Sequence, residues 1–183
     1  ALHSGILIRF IRAMSPLSLF LHFPAPGSFS GPIAPSGLGE PPAALPMINL
    51  LVITHGEFGA YLVEAAETIV GPQGPGVRSV GISSRMAVGE VRSRVEGAIK
   101  DLNSINGLMI LTDMPGGTPC NVAMPLSKDM PDVAVVSGVN LYMLVTAFNH
   151  RKDSSVPELT ERTLSAGRRA ITDIKTMFLA KRN

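Results

Sequence analysis

The sequence predicts an α/β fold: a three-layer, open, doubly wound and mostly parallel sheet with helices on both faces. Three observations predict it. From residue 47 onward, short apolar runs alternate with longer stretches whose apolar residues recur every three or four positions. The runs at 48–53 and 107–112 are almost unbroken, as in strands buried on both faces. The stretches between runs are long enough for the crossover helices that parallel neighbours require.

Residues 48–53, apolar apart from Asn49, form the first strand. Thr54 and Glu57 stand at capping-box spacing and should open the first helix, with Phe58, Leu62, Ala65, Ala66 and Ile69 on its apolar face. Gly71, Pro72, Gly74, Pro75 and Gly76 stop it. Residues 77–82 are a weaker second strand. Val88, Val91, Val95 and Ile99 line a second helix running to about Leu102. Residues 107–112 are the third strand. Thr118 reads as an N-cap and Pro119 as a first-turn residue of a short helix ending near Ser127. Residues 133–136 are the fourth strand and 139–149 a fourth helix. A polar joint at 150–157 leads to a final helix, with Ser155 and Glu158 at capping-box spacing and a stripe of Leu164, Ile171, Ile174 and Phe178.

Residues 1–46 differ in kind. They hold eight of the fifteen prolines and only three charged residues, Arg9, Arg12 and Glu40. No helix or central strand runs through the prolines of 24–46, so an irregular or disordered extension is expected, with the ordered domain at 47–183. Met47 directly precedes the first strand and would suit a start, leaving 1–46 as a mis-assigned leader. The apolar residues of 6–23 are interrupted by Arg9, Arg12, Pro16 and His22, which argues against a membrane span, and they make a poor signal peptide.

Composition excludes several functions. Sixteen basic and fourteen acidic residues give a net charge of +2 with no long basic run, so no nucleic-acid footprint is visible. One cysteine, Cys120, cannot form an internal disulfide and fits a reducing, cytoplasmic setting. Neither a nucleotide P-loop nor a dinucleotide fingerprint occurs. His3, His22 and His150 do not cluster with other ligands, so neither a metal nor a cofactor is expected. Cys120 reads as a small packed residue. A Cys120–His55 hydrolase would need a pocket and an oxyanion site that the sequence does not supply.

Open parallel sheets place their sites at the carboxyl ends of strands. Three such ends carry polar or glycine-rich loops: Thr54-His55-Gly56, then Thr112 to Thr118, then Ser137 to Asn140. His55 follows a buried strand and precedes a helix N-terminus. One imidazole nitrogen can attack phosphorus while the other donates a hydrogen bond, and the unpaired helix amides would stabilise the transferred anion. Asp113 would hold the proton-bearing nitrogen, although an aspartate before Pro115 and Gly116 also makes an ordinary turn. Gly116 and Gly117 let backbone amides approach an anion, and Thr118 adds a hydroxyl. These residues suit a phosphoryl carrier with His55 as the phosphorylated group.

The segments INLLVITHGEFGAYLVEAAETIVG, GLMILTDMPGGTPCNVAM and VAVVSGVNLYMLVTAF resemble, in order and spacing, the enzyme IIA component of the mannose/fructose/sorbose class of bacterial phosphotransferase systems. The resemblance implies that His55 is phosphorylated, that Asp113 hydrogen-bonds it, and that Thr118 lies beside the phosphate; Gly56, Gly116 and Gly117 are expected to complete the phosphoryl-binding set. It implies phosphorylated HPr as donor and a IIB protein or domain as acceptor, during sugar uptake. It also implies a homodimer with an antiparallel strand exchanged between subunits, for which 150–157 is the natural place. Pro115 stands where the family usually has an aromatic residue and Tyr142 where it usually has proline. With Asn140, these two are expected on the rim where a partner docks. A stand-alone regulatory phosphoprotein, without a dedicated sugar permease, is the alternative the resemblance allows.

Overall fold

The structure, a computed structural model, describes residues 47–180. The expected N-terminal extension at 1–46 lies outside the described residues. The chain alternates β1 (Asn49–His55), α1 (Phe58–Val70), β2 (Val77–Ile82), α2 (Val88–Leu102), β3 (Leu108–Thr112), α3 (Thr118–Ser127), β4 (Val133–Ser137) and α4 (Leu141–His150). Helices α5 (Val156–Arg169) and α6 (Ile174–Ala180) complete it. All four strands are parallel, in the order β2-β1-β3-β4.

Strand β1 is central and its residues through Thr54 are buried. Side chains alternate across a strand, so Leu50 and Val52 face one way and Leu51 and Ile53 the other. The first set joins Met109, Leu111 and Val136 beneath α1, α4 and α5. The second joins Leu108 and Ile110 beneath α2 and α3. This is the doubly wound, three-layer arrangement read from the sequence. Each continuous apolar run is a strand with a helix layer on both sides.

Registry sets the working edge. His55 pairs with Ile82 of β2, Ile53 with Thr112 of β3, and Thr112 with Ser137 of β4. The residues after each strand therefore emerge at one end of the sheet.

Several local expectations are corrected. Thr54 does not open α1. It is the buried penultimate residue of β1, and the helix begins at Phe58 with Glu57 as its cap. The packed face of α1 is Gly59, Leu62, Val63, Ala66 and Val70, whereas Phe58 and Ile69 of the expected stripe are exposed. With the cap three residues later, at Glu57, a different face of the helix meets the sheet. Gly117, not Thr118, caps α3, and Asn140 caps α4, its side chain accepting from the Met143 N–H at 3.1 Å. The final helix is two helices. Residues 170–173 interrupt it, so Leu164 packs against the core while Ile171, Ile174 and Phe178 are exposed. The joint at 150–157 holds no strand: it is the end of α4, a turn and the start of α5. There Glu158 reaches back to the Ser155 N–H at 2.9 Å and its hydroxyl at 2.8 Å, the expected capping interaction, which commits this stretch to a helix start.

That joint also carries Arg151, a fully buried arginine. Its guanidinium donates to the carbonyls of Gln73, Pro75 and Gly76, each at 3.0 Å. Its own carbonyl accepts from the Ile48 N–H at 2.8 Å. Burial lowers its pKa, opposed by the charge of Glu67. Arg151 ties the end of α4 to the loop before β2 and to the entry of β1, at the pole opposite His55.

Candidate functional site

Strand β1 delivers His55 to the edge because the strand has apolar partners on both sides through Ile53 and then runs out of cover. The imidazole remains 47% exposed. Gly56 has φ +57°, a left-handed turn that a side chain would strain, and its N–H donates to the Ile82 carbonyl at 2.8 Å. The chain then enters α1, whose first amides have no partners within the helix. The hydroxyl of Thr54 reaches forward to accept one of them, from Gly59, at 2.7 Å, and donates to the Gly56 carbonyl at 3.3 Å.

Asp113, the first residue after β3, is mostly covered, its side chain 16% exposed. One oxygen, Oδ2, accepts from both the backbone N–H of His55 and its ring Nδ1, each at 2.8 Å. The other, Oδ1, accepts from the Met114 N–H at 2.9 Å. Burial pushes the Asp113 carboxyl up, but the His55 N–H, the imidazole and the Met114 N–H outweigh it and hold the pKa below its ordinary value. An ionised carboxylate only accepts, so Nδ1 carries a proton, and in the neutral ring that leaves the lone pair on Nε2.

The glycine loop closes the third side. Gly116 is left-handed at φ +76°, and its carbonyl accepts from the Asn121 side chain at 3.0 Å. Gly117 approaches the ring so closely that a Cβ there would stand 2.9 Å from His55 Cε1. Thr118, half-buried, is the first residue of α3, which starts immediately beyond. The positive end of that helix and its unpaired first-turn amides are features that favour an anion.

The structure thus brings His55, Asp113, Gly56 and Gly117 into one constellation, with Gly116 and Thr118 in the adjoining loop and helix start. Pro115 is exposed beside them. Tyr142, in the first turn of α4, is 62% exposed. Asn140 is half-buried, with both ends of its amide engaged: besides capping α4 it donates to the Gly167 carbonyl at 3.4 Å. Cys120 is half-buried in the first turn of α3. Among the described residues no cluster of potential metal ligands occurs.

Sequence reasoning missed two features of this edge. The carboxyl end of β2 brings Ser83, Ser84 and Arg85 to the same edge, because Ile82 pairs with His55. The weak apolar pattern of β2 drew attention away from it. The second is the Thr54 hydroxyl, which lies in β1 and not at the helix's N-cap position but still reaches the Gly59 N–H in the first turn of α1.

Known proteins resemble the chain over most of its described length. A profile of the family described as PTS system fructose IIA component matches residues 49–164. Over 138 residues the chain is 28% identical to the PTS system mannose-specific EIIAB component of Escherichia coli K12, covering 73% of this chain and 42% of that protein. The chain therefore spans less than half the length of that curated relative. Phosphotransferase system component EIIA from Streptococcus agalactiae superposes with a TM-score of 0.64 at 29% identity, covering 71% of this chain and 99% of that one. The mannose/sorbose-specific IIA subunit from Enterococcus faecalis superposes with a TM-score of 0.64 at 26% identity, covering 70% and 95%.

Proposed function

Since the chain belongs to the mannose/fructose-type enzyme IIA family of the phosphotransferase system, we propose that it is a phosphoryl carrier that loads His55 at Nε2. The observation that carries this reading is the single Asp113 oxygen at 2.8 Å from both the His55 N–H and Nδ1. The donor is the phosphohistidine of HPr, and the acceptor is a IIB protein or domain in sugar uptake.

In the loading step the Nε2 lone pair forms a bond to phosphorus while the donor's own N–P bond breaks. The electron pair returns to the donor imidazole. Nδ1 keeps its proton throughout, held by Asp113. As the ring gains positive character the carboxylate interacts with it more strongly, so its contribution is largest in the transition state. Gly116, Gly117 and Thr118 offset the incoming negative charge with backbone amides and a hydroxyl. Transfer to the IIB partner runs the same steps in reverse. No helix among the described residues is long and apolar enough to cross a membrane. We place the exchange in the cytoplasm.

The carrier is proposed to work as a homodimer. Strand β4 has an open edge, and a groove of about 720 Å³ runs beside it, lined by Val133, Ala134, Val156 and Leu164 among others. The exposed Ile171, Ile174 and Phe178 supply apolar surface that a second copy would cover. Sedimentation equilibrium should give a dimer at micromolar concentration, and a monomer throughout that range would reject it.

The test of function is incubation with phosphoenolpyruvate, enzyme I and HPr, followed by 31P NMR. One acid-labile phosphoryl group on Nε2 of His55 is expected, and none on His55→Ala. Label on His55→Ala, or on Nδ1, would overturn the assignment.

A further inference from the structure

Thr54 is fully buried, yet it is polar and sits one residue before His55. Water does not reach its hydroxyl, so its hydrogen bonds to Gly59 N–H and Gly56 carbonyl must be found within the turn. These bonds straddle His55. One end lies in the strand that carries the histidine, and the other in the second residue of α1 and the left-handed glycine between. With the Gly56 N–H held by Ile82, the turn is stitched both to β2 and to α1.

The orientation of the imidazole depends on that stitching in a specific way. Asp113 Oδ2 accepts from the His55 backbone N–H and from its ring at the same time. A rotation of the backbone at His55 would therefore break both bonds together. No other hydrogen bond among the described residues holds the ring.

We infer that Thr54 is a positioning residue for the phosphoryl-transfer chemistry: its hydroxyl fixes the turn, and so holds the His55 imidazole against Asp113 in the tautomer that leaves Nε2 free. This rests on the function proposed above. It assigns Gly59 a part as well. A Cβ on Gly59 would stand 2.9 Å from Thr54 Oγ1 and 3.0 Å from Val52 Cγ1. The absence of a side chain is what admits the hydroxyl to the helix end.

Three variants test it: Thr54→Val, Thr54→Ser and Gly59→Ala. Thr54→Val keeps the shape and loses the hydroxyl. Thr54→Ser keeps the hydroxyl. Gly59→Ala raises helix propensity while crowding the hydroxyl, so it probes the site even if Thr54→Val fails to fold. The first readout is 1H–15N NMR of the His55 ring in the unphosphorylated protein, which needs no partner. The second is rapid-quench transfer from phosphorylated HPr, with rate and half-saturating donor concentration measured separately.

Thr54→Val and Gly59→Ala should shift the ring from a single Nδ1–H tautomer to a mixture. They should slow transfer by about tenfold to a hundredfold, the usual cost of a misplaced reacting group, at unchanged half-saturation. Thr54→Ser should restore both readouts. Wild-type tautomer and rate in Thr54→Val or Gly59→Ala would overturn the proposal, leaving the hydroxyl a structural cap. Thr54→Ser as impaired as Thr54→Val would overturn it too, by pointing to the methyl group. A wild-type protein that takes no phosphoryl group from HPr would sink the proposed function while leaving the tautomer experiment to judge Thr54.

Discussion

Replacing Asp113 with asparagine removes one negative charge and turns one acceptor oxygen into a two-proton donor. Three hydrogen bonds bear the change, because Oδ2 accepts two and Oδ1 accepts one. If the amide oxygen takes the Oδ2 position, the NH2 group faces the Met114 N–H. If it takes the Oδ1 position, the NH2 group faces the His55 N–H and forces Nδ1 to accept, which moves the ring proton to Nε2 and blocks the attacking lone pair. Either way a backbone donor loses its partner, at about 1–3 kcal/mol. A hydrogen bond to a charged group contributes about 1.5–3 kcal/mol and a neutral one about 0.5–1.5, so the imidazole loses on the order of 1–2 kcal/mol even in the better orientation. Adding the charge that no longer meets the developing imidazolium gives a transfer rate lower by roughly tenfold to a thousandfold. Rapid-quench transfer from phosphorylated HPr measures it, with unfolding in urea reporting the stability term. Asp113→Asn protein that transfers at the unmodified rate would refute the reasoning.

Gly117 has an ordinary backbone conformation, φ −72° and ψ 166°, but in Gly117→Ala the new Cβ would crowd His55 Cε1. That variant should slow transfer by about tenfold or more while the melting temperature stays near wild type, as rate and thermal unfolding measured side by side would reveal. Arg151→Met should destabilise by about 3 kcal/mol or more in urea unfolding, since three partly buried carbonyls lose the donor of a fully buried side chain. The Asp113 carboxyl titrates lower in the folded protein than its ordinary 3.8, so the unfolded chain takes up its proton first as pH falls. Its stabilising effect is full above that ordinary value and disappears as pH drops through the folded one. The stability gap between wild type and Asp113→Asn should therefore hold steady well above pH 3.8 and narrow as the pH falls through and below that value in urea titrations.

The central strands were legible because burial on both faces leaves little choice of residue. β1 and β3 are runs of apolar side chains, and their adjacency puts His55 beside Asp113. The glycine loop was legible for a similar reason, since Gly116 and Gly117 mark a close approach. What escaped was decided by partners distant in sequence. Phe58 and Ile69 satisfy a helical period as well as Leu62 and Val63 do, and only the true start of α1 determines which face meets the sheet. Arg151 looks like an ordinary solvated charge at a helix end. Its burial depends on carbonyls more than seventy residues earlier. The break at 170–173 carries no proline or glycine to announce it. Thr54 suits a helix cap by spacing, and its place in the strand became clear only with the register.

Arg151 also imposes an order in time. Its guanidinium bonds residues 75–78 positions earlier, and contacts of that span close late because the loop entropy must be met first. On a chain synthesised from the N-terminus, β1, β2 and β3 have all emerged before Arg151 does. The loop ahead of β2 is then without the donor that will hold its three carbonyls. The pole farthest from the chemistry therefore cannot be locked until Arg151 emerges, after the strands that set His55 beside Asp113.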